Sequence, residues 1–163
     1  MVRVAHAAEI DHLARLWHDV WHGSHARLAP AELVRLRTFE SFRERLYAAL
    51  PNIHVVGPPG APVGFYVLRG DELYQLFVLP QSHGSGVAAA LIADAELRLA
   101  ARGVETTWLT CAIGNDRAAR FYEKSGWHRA GTVIDVLETS QGQFPLKVWR
   151  YEKSLAPPVR PPG

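Results

Sequence analysis

The sequence predicts an α/β (α+β) domain in which helices flank a mixed, mostly antiparallel sheet, in the order β-α-α-β-β-β-α-β-α-β-β. Three observations carry this prediction. Near the start, Ile10, Leu13, Trp17 and Val20 recur at spacings of three and four, the mark of one buried helical face. Three apolar segments, 53–56, 62–68 and 72–79, follow one another with only glycine-, proline- and aspartate-containing turns between them, which makes hairpins. Beyond them an Ala- and Leu-rich stretch opens a run of alternating helical and strand-like segments.

Taken in order, Val2 and Val4 alternate with polar neighbours and form a short strand, and a helix runs from Ala8 to about Val20. Gly23 and Ser24 are expected to break any continuation of it. Pro30 starts a short helix over 30–36. Ser41-Phe42-Arg43-Glu44 has the form of a capping box within a helical segment that runs to Leu50 and is closed by Pro51. After the three strands, the helix over 86–102 stops at Gly103, and 107–111 is a strand. Asn115 caps a helix to about Ser125, Gly126 ends it, and 127–136 and 144–151 are the last two strands. Residues 1–155 are thus expected to form a single domain, and the proline-rich 156–163 to be extended or disordered.

Composition narrows the function. The chain has 163 residues, 48% of them hydrophobic and 21% charged, enough to bury a core that hides roughly 70% of the unfolded surface. Its 18 basic and 16 acidic residues are interspersed, so no basic run tracks a nucleic-acid backbone, and nucleic acid is not an expected partner. One cysteine, Cys111, allows no internal disulfide and suits a reducing compartment. No apolar run approaches the ~20 residues of a membrane span, and the first residues lack a signal peptide's apolar stretch, so the expected location is cytoplasmic.

Chemistry concentrates in 76–88, where the apolar Leu76-Phe77-Val78-Leu79-Pro80 leads through Gln81-Ser82-His83-Gly84-Ser85-Gly86 into the Ala-rich helix beginning at Val87-Ala88. The first turn of a helix has backbone N–H groups without partners and a partial positive charge, so a pyrophosphate can sit there. Gly84 and Gly86 let the backbone come close, Ser85 offers a hydroxyl, and His83 a ring N–H. A plain strand-to-helix turn, with glycines chosen for geometry, explains the same residues. A Walker loop would need Gly-Lys-Ser/Thr, and a Rossmann fingerprint a glycine where Ala89 stands, so ordinary nucleotide binding is disfavoured.

The stretch 81–86 resembles the Gln/Arg-x-x-Gly-x-Gly/Ala motif of the GNAT superfamily of N-acetyltransferases, and 76–80 resembles that family's fourth strand. A second motif follows in the same order and at the usual separation. Asn115-Asp116-Arg117-Ala118-Ala119-Arg120-Phe121-Tyr122-Glu123-Lys124-Ser125-Gly126-Trp127 resembles Asn-x-x-Ala-x-x-Phe-Tyr-x-x-x-Gly-Phe, with Trp for the last Phe. The likeness covers about residues 2–153 and is weakest over 7–50. It implies a GNAT-type fold whose fourth and fifth strands splay into a V-shaped cleft. There acetyl-CoA would lie along Gln81 to Ala88, its pantetheine arm paired with the backbone near Phe77 and Val78 and flanked by Asn115, Ala118 and Phe121. It implies transfer of acetyl from this cosubstrate, without a metal, to a primary amine of a small molecule or peptide, and it makes a homodimer a plausible assembly. A non-catalytic acyl-CoA sensor of the same fold is the alternative.

By the same likeness Tyr122 is the proton donor to the departing thiolate; packing in the core with a satisfied hydroxyl is the other reading. Glu72 is the candidate base. Strand alternation places it on one face with Tyr74, Leu76 and Val78, aimed at the cleft, and the competing reading is an exposed turn carboxylate beside Asp71. His18, His22 and His25 stand at helical spacing among Trp17 and Trp21. Zinc is disfavoured, because no carboxylate or thiol completes a site. The acceptor-pocket reading assigns Trp17, Trp21 and His22 to substrate binding, and the plain reading leaves the histidines solvated. Cys111 is an inert core thiol unless a ping-pong route uses it.

Overall fold

The computed structural model describes residues 1–155; the proline-rich tail lies outside the described residues. The elements are β1 (Val2–Val4), α1 (Ile10–His25), α2 (Ala31–Leu36), α3 (Phe39–Ala49), β2 (Ile53–Val56), β3 (Gly64–Arg69), β4 (Glu72–Val78), α4 (Val87–Ala101), β5 (Thr106–Ala112), α5 (Asp116–Lys124), β6 (His128–Thr139) and β7 (Gly142–Ser154). One seven-stranded sheet runs β1-β2-β3-β4-β5-β7-β6, and only the β4–β5 pair is parallel.

Each face of the sheet buries its own apolar layer. On one side α1 and α3 bring Ile10, Leu13, Trp17, Phe42 and Leu46 onto Ile53, Val55, Phe65 and Val67. On the other, Leu91, Ile92, Ala95 and Leu99 of α4 pack on Tyr66, Leu68, Leu73 and Val78. The four-residue spacings 91–95–99 put three small or branched side chains on one stripe of α4, which is why that helix lies flat on β3 and β4.

The β4–β5 junction positions everything that follows. These strands share a single register pair, Glu72 with Trp108, at the start of β4. The joint is pinned by Asp71, whose carbonyl accepts from Thr107 Oγ1 (2.8 Å) and whose Oδ1 accepts from Trp108 Nε1 (2.9 Å). From there β5 follows β7 over seven residues, Thr106 to Ala112, while β4 stays with β3. The strands therefore diverge, as the likeness implied, and the backbone of β4 beyond Glu72 is left without a strand partner on that side.

Three local expectations are corrected. Glu72, Tyr74, Leu76 and Val78 do not share a face. Val67 pairs with Gln75 and Leu68 with Leu73, so Tyr74 is the extra residue of a β-bulge, and the alternation inverts there. Leu73, Leu76 and Val78 accordingly join the α4 layer, whereas Tyr74 and Phe77 join the α1 layer. Second, α1 does not break at Gly23-Ser24 but continues to His25. A glycine costs only about 1 kcal/mol in a helix. The last turn is held by Ser24 Oγ donating to Val20 O (2.8 Å), by Trp21 stacked on His25, and by the His22 ring bonded to Arg37 O (2.6 Å). Third, the cap of α3 is Thr38, whose Oγ1 accepts from Ser41 N (3.1 Å); Ser41 lies inside the helix, so the capping box was placed one turn late.

Candidate active site

Between the diverging β4 and β5 lies a cleft of about 410 Å³, floored by Leu109 to Ala112 of β5 and Leu73 to Val78 of β4. One rim is the turn before α4, contributing Ser82, His83, Gly84 and Gly86 together with Ala88 and Ala89 of the helix. The facing wall is Asn115, Arg117, Ala118, Phe121 and Tyr122. The two motifs, 81–86 and 115–127, thus both contribute to the lining of one cavity. Gly84 and Gly86 have φ of +79° and +85°, and among the described residues no atom beyond the adjoining residues lies within 4 Å of where a Cβ would stand on either. Left-handed backbone is what requires glycine there, and the open space above it is the approach the phosphate reading needs. Asn115 caps α5 by accepting from Ala118 N (3.3 Å) and also faces the cleft. Gln81, Ser85 and Val87 do not line the cavity, and the Ser85 hydroxyl is engaged with Ser82 O.

Tyr122 is half-buried, its ring packed near Trp127 and Tyr151, while its hydroxyl bonds to no protein atom among the described residues. Burial, and then the neighbouring Cys111, push its phenol above the ordinary value, so the proton stays on the oxygen at neutral pH. Burial likewise pushes the Cys111 thiol up to about 12. The thiolate a nucleophile needs is scarce there.

Glu72 is 4% exposed, which corrects the reading of it as a solvated turn carboxylate. It lines neither this cleft nor the smaller pocket described next. Burial raises its carboxyl to about 7, opposed by Arg69 at 3.2 Å and reinforced by the negative field of Asp135. Arg69 is largely exposed, so water screens its counter-charge and burial prevails.

A second pocket of about 130 Å³ adjoins the cleft on the α1 side. His25, Gln75, Phe77, Thr110 and Ala112 line both. Its walls include Trp17, Trp21, Leu33, Arg37, Arg45, Asp135 and Val148. Trp17 and Trp21 thus both line this pocket. His22 lines neither cavity, its ring being spent on Arg37 O. His25 stands at the junction of the two cavities, and burial pulls its imidazole down to about 4 against the bond that the ring donates to the Trp21 backbone, leaving it neutral. Sequence reasoning missed Gln75, Thr110, Arg37, Arg45 and Asp135. The bulge hides Gln75, and the others come from four separate segments with no spacing pattern between them. Among the described residues no group of three or more His, Cys, Asp or Glu is placed to hold a metal, and no helix is long and apolar enough to cross a membrane.

The match to known proteins agrees with this geometry. The chain is 42% identical over 78 residues to an uncharacterized N-acetyltransferase of Mycobacterium bovis, an alignment covering 45% of this chain and about half (50%) of that relative. The fold is similar to a GCN5-related N-acetyltransferase from Rhodopseudomonas palustris, with a TM-score of 0.73, 22% identity and 95% of each chain covered. It is also similar to a GNAT superfamily phosphinothricin acetyltransferase from Sinorhizobium meliloti solved in complex with acetyl-CoA, with a TM-score of 0.69, 17% identity, and 95% of this chain and 88% of that one covered. Residues 11–127, most of the described chain and both motifs within it, match the model of the acetyltransferase (GNAT) family, and the chain belongs to that family.

Proposed function

We propose that the protein is an N-acetyltransferase that moves an acetyl group from acetyl-CoA to a primary amine by direct attack in a ternary complex. The observation that carries this is the continuity of two cavities: a long cleft ending on the glycine turn before α4, and a smaller pocket that meets it at His25, Gln75, Phe77, Thr110 and Ala112. A thin, extended cosubstrate and a separate acceptor can occupy the two at once. The unpartnered backbone of β4 near Phe77 and Val78 pairs with the pantetheine amides, and the N–H groups at Gly84, Gly86 and the first turn of α4 receive the pyrophosphate.

Few groups are then needed. Glu72, titrating near 7, takes the proton that the acceptor ammonium must lose before attack, and does so through water because it lines neither cavity. The amine nitrogen forms the new C–N bond at the thioester carbonyl carbon, and the C–S bond breaks. Tyr122 gives its hydroxyl proton to the departing thiolate, the role its free hydroxyl and raised phenol suit. An acceptor screen with acetyl-CoA, read by release of free thiol, tests the proposal. Steady thiol release with at least one amine is expected. Tight acetyl-CoA binding without release for any amine would instead identify an acyl-CoA sensor.

A further inference from the structure

The smaller pocket carries charge that the transfer reaction does not use. Arg37 lines it, is 3% exposed, and ends α2. Its guanidinium donates from Nη1 to Glu138 O (3.0 Å), and among the described residues no carboxylate forms an ion pair with it. Arg45 also lines the pocket. It sits 4.3 Å over the Trp17 ring and donates to the Tyr74 hydroxyl (2.9 Å), again with no carboxylate paired to it among the described residues. A buried guanidinium with no paired carboxylate is costly, and Arg37, like the half-buried Arg45, has donors to spare out of five. Their field is felt locally. Burial and then Arg45 pull Arg37 down to about 10, and Arg45, Arg69 and Arg37 together outweigh burial to draw the Tyr74 phenol below its ordinary value.

One negative group faces the same space. Asp135 of β6 lines the pocket beside Thr110, whose hydroxyl lies 3.4 Å from Oδ2, and it forms no ion pair among the described residues. Thr110 belongs to both cavities, so the carboxylate stands on the side toward the cleft. The pocket is therefore polarised, with the guanidiniums of Arg37 and Arg45, the Lys147 ammonium and one carboxylate in its lining, and an apolar cavity of ~150 Å³ already holds a benzene-sized ligand. We infer that the acceptor is a small zwitterion, an amine that also bears a carboxylate, bound with its carboxylate on Arg37 and Arg45 and its amine beside Asp135 and Thr110. Planar forks match a carboxylate in bidentate fashion, whereas a dianionic phosphate would meet the Asp135 charge in the same small volume. This inference rests on the acetyl-transfer reading of the same site.

The test compares the twenty amino acids and β-alanine with their amides, and with phosphoethanolamine. Thiol release measures turnover, and calorimetry on the CoA-saturated protein measures binding independently. The expected result is a preferred amino acid whose kcat/KM exceeds that of its amide by at least ~30-fold, the effect of one desolvated charge pair. Arg45→Met should abolish most of this ratio and Arg45→Lys restore part of it, with acetyl-CoA binding confirming that each variant is folded. If amides react or bind as well as acids, or phosphoethanolamine surpasses every amino acid, the carboxylate assignment falls while acetyl transfer stands. If an amino acid binds through Arg45 and none is acetylated, the anion site stands and the transfer reading falls.

Discussion

Burial sets different protonation states on Tyr122 and Cys111 in the cleft and on Glu72 outside it, and each state makes a prediction. Tyr122→Phe removes only a hydroxyl that has no protein partner, so folding and acetyl-CoA affinity should be retained while kcat falls by on the order of 10²-fold. If Tyr122 gives its proton as the thiolate leaves, as proposed, kcat and kcat/KM should fall together. A wild-type rate in steady-state assays where chemistry limits would remove Tyr122 from the mechanism. Glu72 titrates in the folded protein at about 7, above its ordinary 4.5. A base must be ionised, so kcat/KM should climb with pH through about 7; Glu72→Gln should lose that limb and recover rate only as the amine itself deprotonates. The sign for stability is opposite. The folded state holds this proton more tightly than the unfolded one, so the associated stability is full below 4.5 and is lost as pH rises to 7. Glu72→Gln should therefore melt closest to, or above, wild type at pH 8 and compare least well at pH 4. Cys111, with its thiol pushed up to about 12, should be dispensable: Cys111→Ala should keep most turnover, with a packing loss of about 1 kcal/mol. Mass spectrometry after mixing with acetyl-CoA alone should show no stoichiometric adduct at Cys111, since a competent one would establish a ping-pong route.

At the level of elements, the turn from β4 into α4 and the bulge in β4 have separate duties. Gly86 holds φ +85° as the N-cap of α4, and among the described residues nothing would touch a Cβ there. Gly86→Val therefore creates no internal clash. It costs ~1–2 kcal/mol of backbone strain and places a branched side chain where phosphate oxygens must approach. Acetyl-CoA affinity by calorimetry should fall well beyond what that strain does to melting temperature; unchanged affinity would mean the phosphate turn is elsewhere. The bulge at Tyr74 acts on the opposite cavity. By inverting the alternation it keeps Leu76 and Val78 on the α4 core while Tyr74 and Phe77 join the α1 layer, where Tyr74 accepts from Arg45, and Gln75 lines both cavities. Without it, the residues of β4 on either side of Tyr74 would exchange faces.

For the whole molecule, the cleft exists because the sheet is pinned at one point and diverges beyond it, so a ligand that fills it joins the two halves. Acetyl-CoA should raise unfolding stability by ~2.7 kcal/mol at one hundred times its dissociation constant, provided it binds only the folded state, and ATP should do far less. Thermal melts with each ligand check this, and equal protection by ATP would argue for a nucleotide site. How much of this was readable beforehand follows from the range of the interactions involved. Strands 2–4 and 53–56, the α4 stop at Gly103, the Asn115 cap and both motifs rest on neighbours a few residues apart, and propensity, periodicity and capping chemistry are written in just such neighbours. The family likeness likewise lay in two contiguous stretches. What the sequence left open depended on partners far along the chain: whether α1 survives Gly23 was settled by Phe42 and Arg37, and the face of Glu72 by a register shift against β3. The proposed acceptor pocket is the extreme case, since α1, α2, α3, β4, β5, β6 and β7 each contribute to it and no local pattern joins Arg37 to Asp135. Local sequence determined the elements and the glycine turn before α4, while the charge and shape of the proposed acceptor site were decided only when tertiary packing brought side chains from seven elements around one cavity, because desolvation and electrostatic fields depend on distance in space and not along the chain.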